Sequence, residues 1–220
     1  SEKKVCVHVH VDDDVKFLDN RNQELDIPLY RYLTPRDIME NIRRSWVNVV
    51  YPPRDYAMSH EVIEEIIRRS FIEKFPGVVD RELFWYEMIH TLLKHKRPED
   101  FYSLILDEAD DIFPDSPRTP RYQLQDWFRA TCLRDLRKTK LSFYVAFQTH
   151  IDFDYYILAK IPAKIYLKGA FLPSGKYTVV KRSMPRYLRR GEYIIEKNGL
   201  YGKAKFPKID TSDQVRAVFA

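Results

Sequence analysis

Glycine is scarce in this chain. There are six among 220 residues (Gly77, Gly169, Gly175, Gly191, Gly199 and Gly202), and only Gly77 precedes residue 107. A loop that wraps phosphate groups needs glycines at set spacing, so that backbone N–H groups can converge on the anion, followed by a Lys and a Ser or Thr. Gly77 lies in FPGVVD with no lysine after it, which excludes such a loop upstream of residue 107. Cysteine is scarcer still. Cys6 and Cys132, far apart in the sequence, exclude a disulfide framework and a cysteine-based zinc site, and both read as reduced structural residues. No apolar run approaches the length that spans a bilayer. No apolar signal segment follows Ser1-Glu2-Lys3-Lys4, so the expectation is a soluble, cytoplasmic protein with no membrane partner.

What is present is an ample core and an uneven charge. At 45% hydrophobic and 14% aromatic, the chain is expected to form one large domain or a domain with a small appendage. The net charge of +5 leans toward an anionic partner. Acids concentrate at Asp12–Asp14 and Asp107–Asp115, whereas Arg182–Lys208 holds many cations and only Glu192 and Glu196 as acids. Asn and Gln are few beside Lys, Arg, Glu, Ile and Tyr, a balance compatible with a thermophilic, archaeal setting.

The pattern alternates strands and helices. KVCVHVHV has period two and predicts a strand stopped by Asp12-Asp13-Asp14. His8 and His10 share one face of it, a pair that reads as a polar strand face more readily than as a metal site. Residues 16–33 read as irregular. Thr34 as N-cap and Pro35 at the first helical position open a helix. WVNVVYPP predicts a strand, SHEVIEEIIRRSFIEKF a helix capped by Ser59, and DRELFWYEMIHTLLKHK a helix capped at Asp80. FYSLILDEADDIF is a nearly continuous apolar run, expected as a strand buried on both faces. RYQLQDWFRATCLRDLRKTK predicts a basic helix, LSFYVAFQTH a buried strand, DFDYYILAKI a short helix or turn and AKIYLKGA a strand, with β-hairpins beyond. The expected fold is α/β, with a mainly parallel sheet covered by helices and C-terminal hairpins. The expected division is a core over residues 1–175 and a basic hairpin extension over 176–220.

Four acids fall within residues 107–111 at the end of the apolar run. In phosphate-transfer enzymes a strand-end acid holds the magnesium shell and a following Glu polarises the attacking water, since acids leaving a sheet at its carboxyl edge face the ligand. The stretch LILDEADDIFP through LRDLRKTKLSFYVAFQTHIDFDYYILAKIPAKIYLKG, about residues 99–170, resembles the HerA/FtsK superfamily of DNA-pumping ATPases, which includes viral packaging ATPases. The resemblance implies a P-loop NTPase fold of the RecA/ASCE type. It matches Asp107 to the magnesium-associated acid, Glu108 to the water-activating base and Gln148 to the γ-phosphate sensor. It sets Arg129, Arg134 and Arg137 on the arginine-bearing helix, where one acts across a subunit interface. It implies ATP and Mg as ligands, DNA as partner and a homo-oligomeric ring. The letters Asp107-Glu108-Ala109-Asp110 also spell a helicase motif, but no other helicase element accompanies them.

The chain departs from that family at the phosphate loop. GAFLPSGKYT places five residues between Gly169 and Gly175 instead of four, and Tyr177 stands where the magnesium-binding hydroxyl belongs. If the first strand and the Thr34 helix frame the site, residues 12–33 occupy the loop's place, and Asp12, Asp13 and Asp14 repel a triphosphate. A fragment cut after the loop is the alternative, and Ser1-Glu2-Lys3-Lys4 reads instead as an ordinary start. The leading expectation is therefore a degenerate, virus-encoded or mobile-element ATPase acting in DNA handling, with ATP and Mg as candidates and not requirements. One alternative is a metal-dependent nuclease using Asp107, Glu108, Asp110 and Asp111 with Lys138 or Lys140. Another is a non-catalytic DNA-binding or assembly protein. Its contacts would be Lys181, Arg182, Arg186, Arg189, Arg190, Lys197, Lys203, Lys205 and Lys208, interleaved with Tyr187, Tyr193 and Tyr201.

Overall fold

The structure is a computed structural model that describes residues 4–70, 79–97, 100–116, 121–133, 138, 140–172, 178–207 and 215–219. The chain forms two compact units, one over residues 1–97 and 210–220, the other over residues 98–209.

The first unit is built on β1 (Val5–His10), which pairs in parallel with β3 (Leu29–Tyr32) on one side and β4 (Val47–Val50) on the other. Period-two alternation divides β1. Val7 and Val9 enter an apolar cluster with Val15 and Phe17 of β2 (Val15–Leu18), joined by Leu25, Ile27, Val49 and Ala217. Cys6 and His8 point to the opposite face. β2 pairs antiparallel with β10 (Arg216–Phe219). Helices α1 (Pro35–Asn41), α2 (His60–Ser70) and α3 (Leu83–His95) complete the unit. Tyr32 meets Phe84 of α3 with ring centroids 5.5 Å apart, and Tyr56 meets Phe84 at 5.3 Å. Phe84 is fully buried, so its truncation would cost about 3–5 kcal/mol.

Residues 16–33 are not irregular, because they supply β2 and β3. Both are four-residue strands whose partners lie elsewhere in the sequence, so no local period announces them. Thr34 and Pro35 open α1 as expected, and the Asp37 carboxylate reaches back to accept from Leu33 N (2.9 Å) and Thr34 N (2.8 Å). α3 starts later than its sequence suggests. Glu82 is its N-cap, while Asp80 accepts from Glu82 N through its side chain and from Leu83 N through its carbonyl.

The second unit opens with β5 (Tyr102–Leu106), α4 (Ala109–Ile112) and α5 (Arg121–Trp127), the last continuing into a π turn over Phe128–Cys132. β6 (Leu141–Val145) pairs in parallel with β5. α6 (Tyr155–Lys160) leads to an antiparallel sheet of β7 (Ala163–Leu167), β8 (Glu192–Lys197) and β9 (Leu200–Lys205), with a 3₁₀ turn at Met184–Tyr187 before β8. Phe113 is the aromatic hub, 4.6 Å from Phe128, 6.2 Å from Phe143 and 6.4 Å from Phe153.

β5 and β6 form as expected, but neither is buried on both faces within its unit. Ile105 is 72% exposed and Tyr144, its partner in register, is 55% exposed. Only the face bearing Leu104 and Phe143 turns inward, toward the Phe113 hub. The sheets are mixed: the β3-β1-β4 and β5-β6 ladders are parallel, and the β2-β10 and β7-β8-β9 ladders are antiparallel. Among the described residues, no helix is long and apolar enough to cross a membrane.

Candidate functional site

The acidic edge is made by two parallel strands ending together. Leu106 pairs with Val145, and two backbone bonds extend the ladder beyond the strands: Ala146 N to Leu106 O (2.9 Å) and Ala109 N to Ala146 O (2.8 Å). Asp107 and Glu108 therefore leave β5 beside the segment that carries Gln148, and all three side chains are solvent-exposed. Ala109, Ile112 and Phe113 are buried and hold the turn against the aromatic hub. Glu108 has φ +50°, the left-handed region that a side chain disfavours. Its N–H donates to Asp107 Oδ1 at 3.0 Å. Neither carboxylate is in an ion pair among the described residues.

Past Gln148, the Thr149 hydroxyl accepts from Ile151 N (3.2 Å), and His150 stacks on Phe171 at 5.4 Å with its Nδ1 3.0 Å from the Phe171 carbonyl. The edge after β6 is thus a fixed turn. The arginines assigned to the helix before β6 fare differently. Arg134 and Arg137 lie outside the described residues. Arg129 is committed to structure: its Nε donates to Asp154 Oδ2 (2.8 Å), a second nitrogen donates to the same oxygen, and its guanidinium lies 4.9 Å from the Tyr156 ring. Asp154, fully buried, also caps α6 by accepting from Tyr156 N and Ile157 N.

The four acids of residues 107–111 do not converge: among the described residues no three His, Cys, Asp or Glu side chains are placed to hold a metal ion together. Lys140 precedes β6 and accepts from Tyr102 N through its carbonyl, which puts it at the opposite end of the ladder from Asp107. Asp107 is level with Ala146, beyond the far end of β6, so the separation is roughly 20 Å. In the other unit, His8 is fully buried. Its Nε2 lies 3.2 Å from Asn48 Oδ1, which also accepts from the Cys6 thiol at 3.0 Å, and its ring stacks on Tyr30. Burial lowers the His8 pKa, opposed by the Asn48 bond, and burial raises that of the Cys6 thiol. The lone Asn within WVNVV was the only sequence signal for this partner.

The basic region divides by structure. Lys181, Arg182, Arg186, Arg189 and Arg190 do not lie on a hairpin; Arg186 is in the 3₁₀ turn that precedes one and the others flank it, all exposed. Lys203 and Lys205 lie on β9, and Lys203 pairs with Glu192 at 2.7 Å. Lys197 ends β8, and Lys208 lies outside the described residues. The region's two acids are both engaged. Glu192 also accepts from Arg189 N (2.6 Å). Glu196 is buried, accepting from the Tyr166 hydroxyl (3.0 Å), the Thr178 hydroxyl and Val179 N (3.1 Å). Burial beside this carboxylate pushes the Tyr166 hydroxyl pKa up. Of the GAFLPSGKYT stretch, Gly169 makes a turn at φ +81° and residues 173–177 lie outside the described residues.

The sequence matches no protein-family model and no curated protein. Among solved structures, the fold is similar to that of the genome packaging NTPase B204 from Sulfolobus turreted icosahedral virus 2. With B204 in complex with sulfate the TM-score is 0.52 at 13% identity, covering 94% of this chain and 84% of that one. With B204 in complex with AMPPCP it is 0.51 at 14% identity, covering 94% and 85%. At such identities the likeness is one of fold, and this chain has a mixed α/β, NTPase-like fold.

Proposed function

We propose that this chain is an NTPase-fold protein of the DNA-translocating and packaging type, acting in genome handling of a virus or mobile element without a phosphate loop of its own within these residues. One observation carries the reading: a parallel strand pair delivers Asp107, Glu108 and Gln148 to one edge, with both carboxylates exposed and outside any ion pair among the described residues. The similarity in fold to a genome packaging NTPase supports it. In this reading Asp107 holds the water shell of a magnesium ion, Glu108 orients the attacking water and Gln148 senses the terminal phosphate. Arg134 and Arg137 stay candidates for contacts across a homo-oligomeric interface. ATP and Mg are the ligands, DNA is the partner and the setting is intracellular. Lacking the glycines and lysine that hold β- and γ-phosphates, the chain is expected to hydrolyse ATP weakly or not at all by itself.

The nuclease alternative is weakened by the separation of Lys140 from the acids. The non-catalytic DNA-binding alternative shares the basic surface and differs only in leaving Asp107 and Glu108 idle. Calorimetry with ATP and magnesium, on the wild type and Glu108→Gln, separates these readings. Heat of binding without saturable turnover supports the degenerate NTPase. Saturable hydrolysis abolished by Glu108→Gln would make the chain a motor and overturn degeneracy. Absence of both binding and turnover at millimolar ATP would set the nucleotide reading aside and leave the DNA-binding and nuclease readings, which magnesium-dependent cleavage of plasmid DNA tells apart.

A further inference from the structure

The turn at Met184–Tyr187 is a rigid mount. Met184 N donates to Lys181 O (2.9 Å), Arg186 N to Ser183 O (3.2 Å) and Gly169 N to Pro185 O (3.2 Å). Pro185 is buried, and Leu188 enters a core with Tyr166, Leu172, Val180 and Ile194. Between these anchors the Tyr187 ring is held outward, 80% exposed. Lys181, Arg182, Arg186, Arg189 and Arg190 surround it in sequence, and none of their side chains is in an ion pair among the described residues. Arg189 uses its backbone N–H, not its guanidinium, to bond Glu192.

The register of the sheet extends this surface. Tyr201 lies opposite Glu196, Lys203 opposite Ile194 and Lys205 opposite Glu192, so all three share the face that the segment from Thr178 to Leu188 covers. The other face presents Ile165, Leu167, Ile195 and Leu200. Lys203 and Lys205 are thus on one side of the sheet with Tyr201, Lys197 is on the other, and the acids Glu192 and Glu196 on the first side are already bonded. Glu192 competes there for Lys203 and lies in the field of Arg189, while the side chains of Lys181, Arg182, Arg186 and Arg190 are in no ion pair among the described residues.

We infer that this turn is a binding site for single-stranded nucleic acid, with Tyr187 as the platform for one unpaired base and the flanking arginines on the phosphates to either side. The inference rests on the DNA-handling reading above and names the form of nucleic acid bound. The backbone that carries the ring is already fixed, so stacking has only the two side-chain torsions of Tyr187 to order, and every base offers a π face. A duplex hides those faces, so it can use the cations but not the ring. Stacking contributes affinity that salt does not screen, whereas each phosphate contact adds about 0.7 to the salt slope for a single strand.

The test is fluorescence anisotropy with a labelled mixed-sequence single strand and its duplex, titrated at several salt concentrations. Tyr187→Ala is expected to weaken single-strand binding about tenfold with an unchanged salt slope and to leave duplex binding within about twofold. Tyr187→Phe is expected to bind as the wild type does. Arg186→Ala with Arg190→Ala is expected to lower the single-strand slope by about 1.4. If Tyr187→Ala changes neither binding curve while the arginine pair weakens both, the turn contacts phosphates only: the inference fails and the DNA-handling reading stands. If Tyr187→Ala weakens both forms equally, base stacking is refuted. If the wild type binds neither form at low salt, the DNA-handling reading falls as well. Because Tyr187 is exposed, all variants should keep the wild-type thermal midpoint.

Discussion

Two sets of acids in the second unit differ sharply. Asp154, Glu192 and Glu196 are each bonded to named donors: Asp154 to Arg129 and the start of α6, Glu192 to Lys203 and Arg189 N, Glu196 to Tyr166, Thr178 and Val179. Asp107 and Glu108 at the β5–β6 edge stand in solvent, and Glu108 holds a backbone conformation that costs stability. The first group is accounted for by folding. The second is not: removing those carboxylates would leave the fold intact or better off. A residue that folding does not need and that the backbone strains to present is where function is to be sought.

That contrast can be broken by mutation. The largest effect belongs to Arg129→Ala, which strands the buried Asp154 charge and should cost about 3–5 kcal/mol in a urea unfolding series. A cost within the noise would show that Asp154 is no more committed to the fold than Asp107. Glu196→Gln replaces an oxygen that accepts hydrogen bonds with an NH₂ that cannot, and should cost about 1–3 kcal/mol by the same measurement. Glu108→Gly should move the other way, stabilising by about 1 kcal/mol as the left-handed strain is relieved, while removing whatever the carboxylate does. Loss of stability in that variant would mean Glu108 belongs to the structural group.

The smallest effect sharpens the contrast by pH. Lys203, then the Arg189 N–H, hold the Glu192 carboxyl below the usual carboxylate range. A depressed value means the contribution of Glu192 is complete above the ordinary glutamate pKa and is lost as pH falls through the lowered one. Amide shifts of β9 should follow that low titration by NMR, and Lys203→Met should return it toward the ordinary value.

Elements with a strong local period were legible in the sequence. The alternating valines of β1, the Thr34-Pro35 start of α1 and the strand-to-acid step at Leu106-Asp107 needed no distant information, and the structure places each where the pattern did. β2 and β3 were not legible, since four residues carry too little pattern and their pairing with β10 and β1 is set at long range. The exposure of Ile105 was hidden for another reason: an apolar run does not say how many faces the fold will cover. At the site, the acids could be set at a strand end from the apolar run itself, whereas Gln148 was singled out only through the family resemblance. The engagement of Glu196 and Arg129 could not, because their partners Thr178 and Asp154 become neighbours only through the fold.

The pairing of β2 with β10 has a consequence for the order in which the protein can be made. Val15 finds Phe219 only after every residue of the second unit has left the ribosome, and Ala217 joins Val15 and Phe17 in the same apolar cluster. Synthesis runs from the amino end, so the first unit begins before the second and is completed after it, a non-local closure that slows folding and leaves a partly formed core waiting. Nascent chains halted before Arg216 should therefore remain protease-sensitive in residues 15–18, and protection there at that stage would show that the strand does not wait for its partner.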